Sequence, residues 1–265
     1  MNLIQLRDTP PWEWPEGAGK VLLETLQDPN ASDEDRVTAA GLAGDCIVVN
    51  DELVDVLLGM VASPSAAQPV REAAAIALGP ILELGDIDGF EIPGDVPISE
   101  KTFQKIQKML ADVYRDADVP GDVRRRVLEA SVRAPQDWHT GAVRAAYQSG
   151  DSLWMLTAVF CMQHIQGFEP QILQALKSPD EKIHLEAVRA AGDMEVAKAW
   201  EHVADLAASD ATEKNLRLTA IEALPFLRPK KSLPMLHELT ESDDEDIVEA
   251  AYEAIAMCGE DEGIG

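Results

Sequence analysis

Apolar residues recur along this chain with the three- and four-residue spacing of amphipathic helices, in short stretches separated by Pro, Ser, Asp and Gly. Residues 70–79, VREAAAIALG, show the pattern with an apolar residue at position 0 and a small residue at +4. Small or apolar residues follow at +7 and +8, and Gly stands at +9. The spacing predicts one apolar helix face with small side chains at its centre.

The same pattern recurs along the chain at a nearly constant interval. Its copies begin 35, 53, 30, 30, 33 and 31 residues apart. A second amphipathic segment that ends in a turn precedes most copies, so we name the upstream segment the A helix and the copy itself the B helix. A repeat of this length is typical of solenoids of helix pairs. The copies begin at Asp35, Val70, Val123, Leu153, Ile183, Leu216 and Ile247.

The small residues at +4, +7 and +9 predict that neighbouring B helices approach each other closely. The stretches 172–192 (ILQALKSPDEKIHLEAVRAAG) and 53–79 resemble the HEAT family, in particular the HEAT-like repeats of phycobilisome lyases. The resemblance covers about seven units over residues 17–258 and implies an all-α fold, a right-handed α-solenoid of about seven HEAT-like helical hairpins. It also implies protein binding more often than catalysis, because only some members of the family are enzymes.

We expect a single repeat domain over residues 1–265 with three irregular segments. Residues 1–16 are predicted to cap the open end of the apolar stack, with Trp12 and Trp14 as its cover. Residues 85–98, rich in Gly, Pro and Asp, are predicted to form an inserted loop, and residues 259–265 an acidic tail.

The net charge of −26 argues against nonspecific binding to nucleic acid or to anionic lipid, since both need a basic surface. Residues 1–100 carry −15, residues 101–200 carry 0 and residues 201–265 carry −11. This acidity either solubilises the surface or attracts a basic partner. We see neither a signal peptide nor a membrane span, and three distant Cys favour the reducing cytoplasm.

The five His are scattered over different units, and no catalytic set, metal site or cofactor site is predicted. Cys161 and His164 supply only two ligands for a zinc ion. Deoxyhypusine hydroxylases of the HEAT type hold iron with His-Glu dipeptides on several repeats, whereas His237-Glu238 stands alone here. The insertion contains three acidic residues with the alternation of a calcium loop, but the closing Glu is missing. They are Asp86, Asp88 and Glu91.

One segment concentrates basic residues and has two interpretations. A groove for nucleic acid would use such a cluster, but the acidity of the chain opposes it. Internal ion pairs with nearby acids such as Asp112, Asp116 and Glu129 agree better with the net charge. The cluster comprises Lys101, Lys105, Lys108, Arg124, Arg125 and Arg126.

The fourth B helix, LWMLTAVFCM, differs from the other copies because it is apolar on every side. Its positions +2, +6 and +9, predicted to face the concave side, are Met155, Val159 and Met162. An apolar patch rimmed by charge suits a helix or extended segment of a partner. In the alternative interpretation the 85–98 insertion covers this patch with Phe90, Ile92, Val96 and Ile98. The predicted partner-binding residues are Trp154, Met155, Val159, Met162, Arg125, Glu129 and Arg189.

We therefore expect a non-catalytic scaffold that binds a protein or peptide along its concave face, without nucleic acid or membrane. An enzyme-associated subunit similar to a bilin lyase is one alternative. An acidic inhibitor or immunity-like protein that covers a basic surface is another.

Overall fold

The computed structural model describes residues 2–92 and 94–259, and in these ranges all regular secondary structure is helical. The predicted all-α helical-repeat fold is confirmed. The chain divides into two compact units, Met1–Ala142 and Val143–Gly265. The single domain and the right-handed superhelix stay predictions.

In the first unit three A helices pair with three B helices. The hairpins are α2 with α3, α4 with α5 and α7 with α8, and the B helices α3, α5 and α8 pack in that order. The helices are α1 (Leu3–Arg7), α2 (Ala18–Gln27), α3 (Asp33–Ala43), α4 (Asp51–Ala62), α5 (Gln68–Ala77), α6 (Gly79–Asp88), α7 (Glu100–Arg115) and α8 (Gly121–Ser131). Helix α9 (Asp137–Tyr147) begins in this unit and ends in the next.

The second unit repeats the arrangement. Its hairpins are α11 with α12, α13 with α14 and α15 with α16, and the B helices α10, α12, α14 and α16 pack in sequence. The helices are α10 (Ser152–Cys161), α11 (Glu169–Ala175), α12 (Glu181–Asp193), α13 (Trp200–Ala208), α14 (Lys214–Leu227), α15 (Pro229–Leu239) and α16 (Glu245–Gly259). Each predicted copy of the B pattern therefore lies on a helix.

The position +9 of the B pattern packs against the next B helix in the stack. A Cβ atom added to Gly44 would overlap the carbonyl oxygen of Ala77, which is at +7 of the next copy. The same register recurs between Gly192 and Ala223, where an added Cβ would lie 3.0 Å from the Ala223 Cβ. The close approach of B helices is the physical reason for their small residues.

The N-terminal segment packs on the first hairpin mainly through Leu6 and Trp14. Leu6 is fully buried, and the Trp14 indole Nε1 donates to the carbonyls of Leu6 (3.0 Å) and Thr9 (2.9 Å). The prediction was wrong for Trp12, which is 77% exposed. This residue lies in the short 3₁₀ helix Pro11–Glu13, which has no buried residue.

The 85–98 insertion begins as the end of α6 and then packs into the core of the first unit. Phe90 contacts Phe103 of α7 with ring centroids 5.3 Å apart, and Val96 and Ile98 are buried in that core. Ile92 remains exposed. Three of the four apolar residues predicted as a cover for 153–162 are thus packed within the first unit. Of the predicted acidic tail, residues 260–265 lie outside the described ranges.

Candidate partner-binding surface

The predicted binding residues of the first unit are buried and neutralise each other. Arg125 and Glu129 are only 6% and 8% exposed, and the Arg125 Nη1 lies 3.1 Å from the Glu129 Oε1. The Arg126 Nη1 binds the other carboxylate oxygen at 2.6 Å. The prediction that Arg125 and Glu129 are exposed was therefore wrong. Burial of the Glu129 carboxylate is possible because the guanidinium groups of Arg125 and Arg126, on the same helix, compensate its charge.

The contacts of the other basic residues distinguish the two interpretations of the basic cluster. Lys108 binds Asp112 at 2.6 Å and Lys105 binds Asp55 at 2.7 Å. Arg124 donates its Nε to the carbonyl of Tyr114 at 2.8 Å. The preferred interpretation, internal ion pairs, is confirmed for Lys108 with Asp112 and for Arg126 with Glu129.

On α10 the predicted patch is divided between buried and partly exposed residues. Val159 and Met162 are fully buried, so their predicted exposure was wrong. Met162 occupies position +9, which faces the neighbouring B helix in the other copies. Trp154 and Met155 are half-buried, and their role in partner binding stays a prediction.

Arg189 on α12 is exposed, and its Nη1 lies 3.0 Å from the Glu186 Oε1. It lies on a cleft of about 230 Å³ between α12 and α14. The cleft floor is formed by Gly192, Thr219 and Ala223, which are buried, and its rim carries Asp193, Glu222 and Phe226, which are exposed. The shape suits one inserted side chain better than a whole ligand, since small-molecule sites usually exceed about 300 Å³.

The sequence interpretation missed Phe226, the largest apolar group of this rim. Phe226 is 45% exposed and stands at +10 of its copy, and Met257 is 51% exposed at +10 of the following copy on α16. For the fourth B helix the prediction took +9 as an outward position, although small residues at +9 predicted close packing in the other copies. In the structure +9 faces the next B helix at Gly44 and Gly192, and +10 is exposed at Phe226 and Met257. The signal in the sequence was the 31-residue spacing of these two large apolar residues.

A buried Ser–His pair lies in the first unit, but its protonation suits a structural role. The His139 Nε2 lies 3.0 Å from the Ser131 Oγ, and its Nδ1 accepts from the Gln136 backbone N–H at 2.9 Å. An accepting Nδ1 leaves the proton on Nε2, so the ring donates to Ser131 and is not its base. Burial lowers the pKa of His139 to about 4.

A second pair of histidines joins two neighbouring hairpins of the second unit. The His184 Nε2 on α12 and the His202 Nε2 on α13 are 2.8 Å apart, with ring centroids separated by 5.1 Å. Both rings are half-buried, and burial lowers the pKa of each. Within residues 2–92 and 94–259, no group of three or more His, Cys, Asp or Glu side chains could hold a metal ion.

In the same described ranges, no helix combines the length and apolarity needed to cross a bilayer. Burial raises the pKa of Asp86 in the inserted segment, in the direction of a neutral carboxyl.

No protein-family model matches the chain, and no curated protein matches it. Solved structures similar to it include human deoxyhypusine hydroxylase, with 16% identity over 97% of this chain and 88% of that chain, TM-score 0.43. The complex of CpcE and CpcF of phycocyanin lyase from Nostoc sp. PCC7120 has 18% identity over 95% and 98%, TM-score 0.45. A designed armadillo repeat protein in complex with the peptide (KR)4 has 18% identity over 97% and 90%, TM-score 0.32. At such identities the likeness concerns the helical-repeat fold alone, and a closer relation to the phycobilisome-lyase type stays a hypothesis.

Proposed function

We propose that the protein is a non-catalytic binding module. Its second unit holds a protein or peptide segment on the solvent-exposed side of the B helices α12, α14 and α16. The observation that carries this proposal is the α12–α14 cleft with the exposed Phe226 on its rim. An aromatic side chain beside a cleft of one-residue size is a typical anchor point of a protein interface.

The continuation of this face onto α16 supports the proposal. Phe226 and Met257 stand at the same register on B helices that pack against each other, so they extend one apolar strip. A row of equivalent positions on stacked helices suits an extended segment, which meets the repeats one after another.

The charges around the strip indicate the chemistry of the partner. Asp193 and Glu222 lie on the cleft together with Arg189, whose guanidinium is paired with Glu186. Glu249 and Glu253 are exposed on α16. Residues 201–265 carry a net charge of −11. The best-fitting segment therefore has an apolar side chain flanked by Lys or Arg, and its association should weaken as salt is added.

A peptide display selection against the purified protein tests the proposal. The selected peptides should combine an aromatic or large aliphatic residue with neighbouring basic residues. Phe226→Asp should weaken their binding by roughly thirtyfold or more, about 2 kcal/mol, as measured by fluorescence anisotropy.

Ile87→Asp is the matched control, because Ile87 is an exposed aliphatic residue of the first unit. It should leave the affinity unchanged. Equal affinity of the wild type and Phe226→Asp would refute the assignment of the cleft, and a selection without any binding peptide would refute peptide binding.

A further inference from the structure

The floor of the α12–α14 cleft contains a hydroxyl group that the fold itself does not use. Thr219 is 4% exposed and lines the cleft. In the part of the chain that the structure describes, its Oγ1 makes no hydrogen bond, and it is not one of the fully enclosed polar atoms. Thr38, at the same position +3 of the first copy, donates to the Glu34 carbonyl at 3.0 Å. The Thr219 hydroxyl is therefore open to the cleft and available to a bound group.

The walls of the cleft are acidic. Glu222 follows Thr219 by three residues on α14, and Asp193 lies on the α12 side. Among the described residues, Glu222 has no ion-pair partner. Arg189 also lies on the cleft, but its guanidinium is paired with Glu186 at 3.0 Å. The oxygen atoms that line the cleft therefore favour a cation with several N–H donors.

We propose that the cleft is a binding site for the guanidinium group of one arginine in the bound segment. This inference rests on the proposed function, because the arginine belongs to the segment that lies on the B helices. It adds the identity of the residue that enters the cleft, next to the apolar residue that packs on the strip of Phe226 and Met257. A guanidinium group carries five N–H donors in one plane and forms short, strong hydrogen bonds with carboxylates.

The arrangement of the α14 wall favours arginine over lysine. Thr219, Glu222 and Phe226 follow each other at intervals of three and four residues, so they share one face of α14. The Phe226 ring is 45% exposed on the rim. A guanidinium group can stack on an aromatic ring while its edge donates to oxygen atoms, whereas the lysine ammonium is a compact and strongly hydrated charge.

A titration with single amino-acid derivatives tests the cleft without any peptide. N-acetyl-L-arginine amide, added at millimolar concentration to protein with labelled methyl groups, should shift the NMR signals of Thr219 and Ala223, which both line the cleft. N-acetyl-L-lysine amide should bind at least about threefold more weakly. N-acetyl-L-citrulline amide, which has nearly the same shape but no charge, should give no shift. No shift with the arginine derivative, or an equal shift with the citrulline derivative, would overturn the proposal.

Variants of the cleft separate binding from stability. Thr219→Val removes a hydroxyl that has no partner in the fold, so it should not lower the free energy of unfolding, but it should weaken binding of the arginine derivative by about threefold or more. Glu222→Gln removes one charge and should weaken binding by about three- to tenfold. Glu52→Gln is the matched control, because it removes an exposed charge of the first unit and should leave the affinity unchanged. Wild-type affinity in both cleft variants would also overturn the proposal.

The titration and the peptide selection can fail separately. Peptides that bind through Phe226, together with unchanged Thr219 and Ala223 signals in the titration, would refute this inference and support the proposed function. A selection without any binding peptide, together with shifts that require the guanidinium group, would refute the proposed function and support the guanidinium site.

Discussion

At the scale of single residues, the glycines of one helix have opposite roles. Gly44 ends α3 directly against the backbone of Ala77, whereas Gly41, three residues earlier, has no atom within 4 Å of an added Cβ. Gly44 stands at +9 of its copy, one of the positions where small residues predict close packing, whereas Gly41 stands at +6, outside those positions. The contact at Gly44 and the open space at Gly41 therefore agree with the repeat pattern.

This difference predicts opposite effects of the same substitution. Gly44→Ala should lower the free energy of unfolding by about 1–3 kcal/mol, because backbone of α5 must move to admit the methyl group. Gly41→Ala should raise it by up to about 1 kcal/mol through helix propensity. Urea denaturation followed by circular dichroism measures both, and a Gly44→Ala protein as stable as Gly41→Ala would contradict the close contact.

His139 gives a second prediction, on pH. Its pKa in the folded protein is about 4, below its ordinary value near 6.5, since burial disfavours the charged ring. The unfolded chain therefore binds a proton between these values and the folded protein does not, so stability is full above pH 6.5 and falls as the pH decreases toward 4. The loss from this group by pH 5 is about 2 kcal/mol.

The measurement compares the wild type with His139→Gln at pH 7.5 and pH 5. The variant should be less stable at pH 7.5 but should lose about 2 kcal/mol less between the two pH values. His237→Gln, at an exposed position, should follow the wild type at both pH values. An equal pH dependence of wild type and His139→Gln would contradict the neutral, buried ring.

At the scale of elements, a recurring arginine joins each of three B helices to its A helix. Arg71, Arg124 and Arg217 stand at +1 of their copies and donate Nε to the carbonyls of the penultimate A-helix residues, at distances of 3.0, 2.8 and 2.9 Å. The last carbonyls of a helix lack partners within it and carry its negative dipole end. The arginine supplies a charged donor to that end and so fixes the hairpin.

Arg71 gives the sharpest test of this contact because it is 5% exposed. Arg71→Met keeps most of the apolar stem but leaves the Val61 carbonyl without its donor. The free energy of unfolding should therefore fall by about 1.5–3 kcal/mol. Arg189→Met, at an exposed ion pair, should change stability by less than about 1 kcal/mol. Similar effects of the two substitutions in thermal or urea unfolding would contradict the role of the +1 arginine.

The elements also show where the sequence stopped being informative. The repeat placed all seven B helices correctly, because small and apolar residues at fixed spacing have one packing solution. A helix that is apolar on every side has two packing solutions, which are exposure to a partner and burial within the protein. Val159 and Met162 are buried. The side chain of Phe226 was overlooked because only contacts between copies distinguish +9 from +10.

At the scale of the whole molecule, charge is the dominant feature that the fold does not explain. With 22 basic and 48 acidic residues, the acidic groups exceed the basic groups by 26, so one-to-one pairing would leave 26 carboxylates without a cation. Exposed ion pairs such as Lys214 with Asp244 contribute little each. Repulsion among the remaining acids should therefore exceed the attraction of the pairs.

The effect of salt on the midpoint of thermal unfolding shows whether repulsion or ion-pair attraction is larger, because salt weakens both. Raising the ionic strength from 0.01 M to 0.15 M shortens the screening length from about 30 Å to about 8 Å. If repulsion in the folded state dominates, NaCl should raise the midpoint of thermal unfolding; if ion pairs dominate, NaCl should lower it. We expect a rise, and tetramethylammonium chloride should give the same rise because screening does not depend on the cation. A midpoint that falls with salt would show that the ion pairs outweigh the excess charge, and a rise with sodium alone would indicate a specific sodium site instead of screening.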